Sequence, residues 1–276
     1  MANRPIITLT TDFGLNDHFV GTMKGVILGI VPDAQIIDIC HSVQPFDILD
    51  GALTIAQAYH YYPERTIHMV VVDPGVGSAR RPIIVNTGVY SFIAPDNGVL
   101  SLVYRREERL SVRHITAEHY FLQPLSNTFH GRDVFAPSAG YRAKGVEHEK
   151  FGEEITDFVR FNAPKPKPTD ARTLRGVILK VDRFGNLVTN ITPADVPWMF
   201  QAERPAFKIV IGKQEITSLK MNYAEGTPGE VFAILGSMGY LEIAANRAAA
   251  VQVTGAGKGS EVNVVLEGAV AAGNGQ

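Results

Sequence analysis

Cysteine is nearly absent from this chain. The one residue of that type, Cys40, excludes an internal disulfide framework and a cysteine-based metal cluster, and it suits a reducing cytoplasm. An excess of charge is missing too: 26 Lys and Arg against 28 Asp and Glu leave a formal net charge of -2. That balance gives no electrostatic case for nucleic acid or an anionic membrane as a partner. No apolar run approaches the length of a membrane span, and Met1 to Asp12 lacks the apolar core of a signal peptide. The expectation is a soluble, cytoplasmic protein in which the Asn190-Ile191-Thr192 sequon has no consequence. There is no P-loop, and Gly75-Val76-Gly77 is not followed by the third spaced glycine of a dinucleotide fingerprint. No internal repeat is present.

What is there reads as two halves. A length of 276 residues accommodates one large domain or two ordinary ones, and 45% apolar with 20% charged residues is globular composition. Apolar runs at 6–9, 35–40 and 67–73 alternate with helical patterns over 19–30 and 47–61, Asn16 or Asp17 being placed to cap the first helix. Strand, helix, strand, helix, strand at this spacing predicts right-handed crossovers and a mainly parallel sheet. A hairpin over 82–87 and 90–94 follows, then a helix over 100–106, while 107–125 fits strand or loop. Three prolines between Asn162 and Asp170 predict a stiff linker over 162–173, closing an α/β domain of 1–161. Beyond it, short runs at 176–181, 207–211, 215–221, 231–235, 241–244, 251–254 and 262–266 predict a small antiparallel, barrel-like β domain over 174–267. The Gly- and Ala-rich stretch 268–276 is expected to be a flexible tail.

The buried-strand pattern Val70 to Val72 stops at Asp73-Pro74-Gly75, with Arg80 a short loop away. Ligands of open α/β sheets bind beyond the carboxyl ends of such strands. Asp73 therefore fits two readings, a turn cap or a site acid. His130 also fits two, a buried structural histidine or a reactive one in the polar loop 126–133. Asp12, Asp17, His18, His130 and Asp133 could form an oxygen and nitrogen shell, but none has the compact spacing of a metal motif. His60, His68, His114, His119 and His148 read as core or surface.

Five stretches carry a family resemblance: Thr11-Asp12-Phe13-Gly14; Val72 to Gly77 with Arg80; Thr128-Phe129-His130-Gly131-Arg132-Asp133; Asp182 to Asn186 with Thr189-Asn190; and Gly236 to Ala244. In that order, from about residue 5 to 266, the chain resembles the S-adenosylmethionine hydroxide adenosyltransferase family. Its halogenating cousins share the fold. The fluorinase carries Tyr where this chain has Asp73, Thr at Val76, Ser at Gly131, and an extra loop not found here.

The resemblance implies hydrolysis of S-adenosylmethionine to adenosine and methionine at the ribose C5′, without metal or cofactor, the nucleoside sulfonium being the substrate. The family's catalytic set falls on Asp73, Arg80 and His130, with Asp73 and His130 orienting the water and accepting its proton. Asp12 would hold the ribose hydroxyls, Asp182 the methionine ammonium with help from Asp17, and Asn186 the adenine edge. Phe46 and Phe129 would wall the pocket, with Phe184 in the adenine loop, Tyr223 stacking on the base, and Ser237 and Glu242 completing the C-terminal side. Without the family, Phe184-Gly185-Asn186 is a plain hairpin turn. The resemblance also implies a homotrimer with active sites between subunits. Competing readings are a halogenase of the same fold, a non-catalytic sensor of adenosine or S-adenosylmethionine, and a metal-dependent phosphohydrolase.

Overall fold

A computed structural model describes residues 4–267 of the chain; the tail expected over 268–276 lies outside the described residues. The chain divides into two compact units between Ala163 and Pro164.

The first unit is built on a six-stranded sheet. Its strands are β1 (Ile6–Thr11), β2 (Gln35–Cys40), β3 (Ile67–Val71), β4 (Pro82–Asn86), β5 (Ser91–Pro95) and β6 (Ser111–His114), in spatial order β2-β1-β3-β5-β4-β6. The pairs β1–β2, β1–β3 and β3–β5 are parallel, whereas β4 runs antiparallel to both β5 and β6. The sheet is thus mixed rather than mainly parallel, because the 82–94 hairpin enters it whole and the ambiguous 107–125 segment supplies β6 as a further antiparallel strand.

Period-2 alternation along β1 and β3 buries both faces. Ile7, Leu9, Met69 and Val71 pack with α1 (Phe19–Ile30) and α4 (Ala136–Ala143). Val70 and Val72 face the opposite cluster with Ile55 of α2 (Ile48–Ala58) and Val103 of α3 (Ser101–Tyr104). Helix α2 is capped by Asp47, whose carboxylate accepts the Asp50 N–H at 3.1 Å. Neither Asn16 nor Asp17 caps α1: the position before Phe19 is His18, which makes no side-chain cap bond. That helix is held instead by its buried face of Val20, Met23 and Ile27.

The second unit is almost entirely β. Its strands are β7 (Lys167–Pro168), β8 (Thr173–Val181), β9 (Leu187–Thr189), β10 (Phe207–Ile211), β11 (Gln214–Ile216), β12 (Leu219–Lys220), β13 (Val231–Leu235), β14 (Leu241–Ala245) and β15 (Glu261–Leu266). They run in the order β11-β10-β15-β8-β9-β14-β13-β12, with β7 beside β8. All pairs are antiparallel except β12–β13. The two ends of this path, β11 and β12, are separated in sequence only by Thr217 and Ser218, so the sheet curls on itself. Two expected strands differ. The run 215–221 breaks into β11 and β12, and 251–254 lies in a short helix, α5 (Ala250–Thr254), ended by Gly255 in the left-handed region. A run of alternating apolar residues this short does not separate strand from helix; Ala250, packed in the core beneath the sheet, does.

Candidate active site

Strand β3 delivers Asp73 to the edge of the first unit, where Asn97 Nδ2 donates to Val72 O at 2.9 Å and fixes the strand end. Arg80 returns to it around the 73–80 loop. Its Nε donates to Asp73 Oδ1 at 3.0 Å and Oδ2 at 2.9 Å, and its Nη2 to Oδ2 at 2.5 Å. The same Nη2 donates to His130 Nδ1 at 2.8 Å. Both charged side chains are nearly sealed from solvent, 5% exposed for Asp73 and 8% for Arg80, and the guanidinium lies over the Phe135 ring at 5.2 Å. A buried ion pair of this kind is held by its hydrogen bonds. One donor is left over: Arg80 Nη1 is buried with no partner among the described residues.

His130 precedes a π-helical turn, Gly131–Phe135, that runs into α4. Wide turns of this type collect at functional positions. Asp133, fully buried in that turn, accepts Arg132 Nε at 2.6 Å and Nη2 at 3.0 Å, and the Ser126 N–H at 2.8 Å. Gly77, at φ +76°, lets the 73–80 loop press on the Asn127 carbonyl, where any side chain would collide. At Gly131 an added Cβ would lie 2.9 Å from Met23 Sδ and 3.2 Å from Phe129.

Burial and the Arg80 charge hold the His130 imidazole below its usual value, against the pull of Asp73 and Asp133. Asp12, just past β1, is held above the usual carboxylate range by burial above all; the Asp73 charge adds to this and the Phe46 N–H opposes it. That N–H donates to Asp12 Oδ2 at 2.8 Å. Phe46 itself has φ +65°, strained for a residue with a side chain, and the residue is 74% exposed. Phe129 is buried against Phe19, ring centroids 5.1 Å apart. Asp17 is exposed in the loop before α1.

The second unit has its own concavity of about 1040 Å³, lined by Asp182, Phe184, Asn186, Tyr223, Ser237 and Glu242, every residue expected in that half. The 182–186 loop is knotted by its own polar groups: Asp182 Oδ1 accepts the Phe184 and Asn186 N–H groups at 2.8 Å each, and Oδ2 accepts Asn186 Nδ2 at 2.9 Å. The hairpin-turn reading is therefore correct for the backbone, and Asn186 lies in the cavity lining with its side-chain amide held by Asp182. Glu242 is pushed up to about 7, by burial first and by the Asp182 charge second. Among the described residues, no group of three His, Cys, Asp or Glu side chains is arranged to hold a metal ion. None of the described helices is long and apolar enough to cross a membrane.

Residues 7–152 match the model of the SAM hydroxide adenosyltransferase N-terminal domain, and 176–263 that of its C-terminal domain. The chain belongs to this family. Over 272 residues it is 33% identical to an (R)-S-adenosyl-L-methionine hydrolase of Salinispora tropica, covering 96% of this chain and 99% of that one. A protein of the same name from Methanocaldococcus jannaschii is 38% identical over 200 residues, 71% of this chain and 70% of its own. Proteins named fluorinase also match, that of Nocardia brasiliensis at 28% identity over 89% of this chain and 91% of its own. A solved structure from Thermotoga maritima, described as an uncharacterized conserved protein, superposes with a TM-score of 0.86 at 33% identity, covering 94% of this chain and 99% of that one.

For a member of the SAM hydroxide adenosyltransferase family, the expected residues gather as two sets. Asp12, Asp73, Arg80 and His130 lie in the first unit, and the other set lines the concavity of the second. Sequence reasoning missed Arg247 and Met221 in that lining, and Phe135 beneath Arg80. Arg247 carries a sign only the backbone reveals, φ +52°. The spacing of Asn97 after Pro95-Asp96 could have flagged its strand-end role as turn chemistry.

Proposed function

We propose that this chain hydrolyses S-adenosyl-L-methionine to adenosine and L-methionine, by direct attack of water on the ribose C5′. The observation that carries the reading is the buried Asp73–Arg80–His130 cluster with an unused donor, Arg80 Nη1, in a chain whose relatives are named for this hydrolysis.

The proton inventory of the cluster supports one division of roles. A guanidinium only donates, so His130 Nδ1 is an acceptor and its ring proton sits on Nε2. With its lone pair engaged, neutral His130 orients the water by donating from Nε2 and does not take the proton. Asp73 does: the oxygen–C5′ bond forms as the C5′–S bond breaks, its electron pair goes to sulfur as the methionine thioether, and one water proton goes to the carboxylate. Arg80 Nη1 holds the developing hydroxide by fixed charge in a water-poor site. A sulfonium leaves readily, and joining an oxygen nucleophile to a cation diminishes charge, so the site need not polarise the leaving group. Asp12 accepts the ribose hydroxyls through its free oxygen, and Asp182, Asn186, Tyr223 and Ser237 bind the methionine and adenine ends.

The two sets of residues are joined, in this reading, when the first unit of one subunit meets the second unit of its neighbour in a homotrimer. Leu15 and Phe46 (71% and 74% exposed) and Phe184 and Met221 (79% and 84%) are the kind of apolar side chain that assembly covers. Mixing Asp73→Ala with Asn186→Ala subunits should then restore turnover that neither has alone. A cytoplasmic setting belongs to the same reading, with Cys40 free.

Incubation with S-adenosylmethionine in oxygen-18 water, with chelator present, tests the chemistry. Adenosine labelled at its 5′ oxygen, lost in Asp73→Ala, supports it; nucleoside binding without turnover would make the protein a sensor. Turnover appearing only with added halide would favour the halogenase reading, which the Asp73 carboxylate opposes by repelling an incoming anion.

A further inference from the structure

At the other end of the first unit's sheet, where β1, β3 and β5 begin, a cavity of about 590 Å³ opens away from Asp73. Three arginines from three separate segments line it: Arg4 before β1, Arg65 before β3, and Arg142 in the last turn of α4. Glu64 is the one carboxylate in the lining. Nothing in the proposed hydrolysis uses this end of the sheet.

Arg142 is the anchor. Its Nε donates to Ser91 Oγ at 3.2 Å and its Nη1 to the Val146 carbonyl at 3.1 Å, both neutral acceptors. Among the described residues no carboxylate lies within ion-pair distance of it, and burial pulls its pKa below the usual arginine value, Glu149 opposing only from a distance. A guanidinium withdrawn from water without a paired anion is a standing electrostatic cost. The rest of the lining supplies donors. Ser91 Oγ accepts from Arg142, so its own hydroxyl proton is available; Asn86 Oδ1 accepts from the Gly88 N–H at 2.9 Å, leaving its amide NH₂. Arg65 stands at the lip with φ +68°, a strained conformation for a side-chain-bearing residue, secured by its N–H on the Val89 carbonyl at 2.8 Å.

We propose that this cavity is an anion site for a phosphate group, free or on a small phosphate ester, distinct from the hydrolytic centre. Three guanidiniums with a hydroxyl and an amide donor outnumber the lone pairs of a single carboxylate, whereas the oxygens of a phosphate can take them all. A cavity of this volume holds the phosphate and a small attached group.

Titration calorimetry of the full chain with inorganic phosphate, against potassium chloride at equal ionic strength, tests this. A saturable heat with Kd near or below about 1 mM is expected. Arg65→Gly removes one guanidinium and relieves the backbone, so the variant folds; it should weaken phosphate about tenfold, the worth of one charge-assisted hydrogen bond. Arg4→Gln should act in the same direction, and both should leave S-adenosylmethionine turnover unchanged without phosphate. A glycerol phosphate arm separates the sources: tighter binding than inorganic phosphate means an ester, equal binding the free ion. No saturable heat, equal affinity in wild type and both variants, or phosphate displaced by adenosine would each overturn the assignment.

Discussion

Glu242 and Asp182 line one cavity as two carboxyl groups, and the charge of Asp182 adds to burial in holding Glu242 up to about 7. The folded state therefore binds a proton at Glu242 that the unfolded chain, titrating near 4.5, has released. Stability falls as pH rises from 4.5 through 7, and the loss is complete above 7. Glu242→Gln should be more stable than wild type at pH 8, by on the order of 3 kcal/mol, and the gain should vanish by pH 4. Thermal unfolding of both proteins across that range measures it.

His130 is expected to be neutral, with its proton on Nε2, throughout the working range. Burial and Arg80 lower its pKa, so the acid limb of kcat/KM should fall below pH 6.5 rather than at it. Nitrogen-15 NMR of labelled protein should show the Nε2–H tautomer; an Nδ1–H form would break the Arg80 bond as assigned. His130→Ala should cut kcat by about a hundredfold, the scale for losing the orientation of a reacting group.

Asp133 ties Ser126 and Arg132 to the π-helical turn that aims His130. Asp133→Asn removes the buried carboxylate that the partly exposed Arg132 and the Ser126 N–H both bond to, and it should lower stability. It should also lower kcat more than it raises KM, since Asp133 acts through the turn that carries His130. Urea unfolding and steady-state kinetics of one variant separate the two effects.

Acid should unfold the first unit through buried histidines. Burial holds His68 down to about 3 and His148 down to about 4, whereas an unfolded imidazole titrates near 6.5. Between those values the unfolded state binds more protons, so stability is complete above 6.5 and declines as pH falls toward 4 and then 3. His148→Gln should flatten the decline between 6.5 and 4, seen as a smaller pH dependence of the urea midpoint.

Sequence alone settled the family and the strand–helix alternation of the first 73 residues, because a β-branched run ending in Asp-Pro-Gly and an apolar face at helical spacing are local signals. It also named every member of the Asp73–Arg80–His130 cluster, through motifs whose spacing survives without the fold. It did not separate the second unit's 251–254 helix from a strand, or show that 107–125 holds β6, since runs of four or five residues take whichever form their neighbours bury. Nor could it show that His130 Nδ1 is a hydrogen-bond acceptor. That follows from one contact, Arg80 Nη2 to His130 Nδ1, made across 50 residues of chain. The three arginines at the far end of the sheet are likewise separated by 61 and 77 residues in sequence, and only the parallel β1–β3–β5 register with α4 above it draws them to one cavity. Residue type and local period are written in the chain; proximity between distant residues, and with it protonation and charge balance, belongs to the packing.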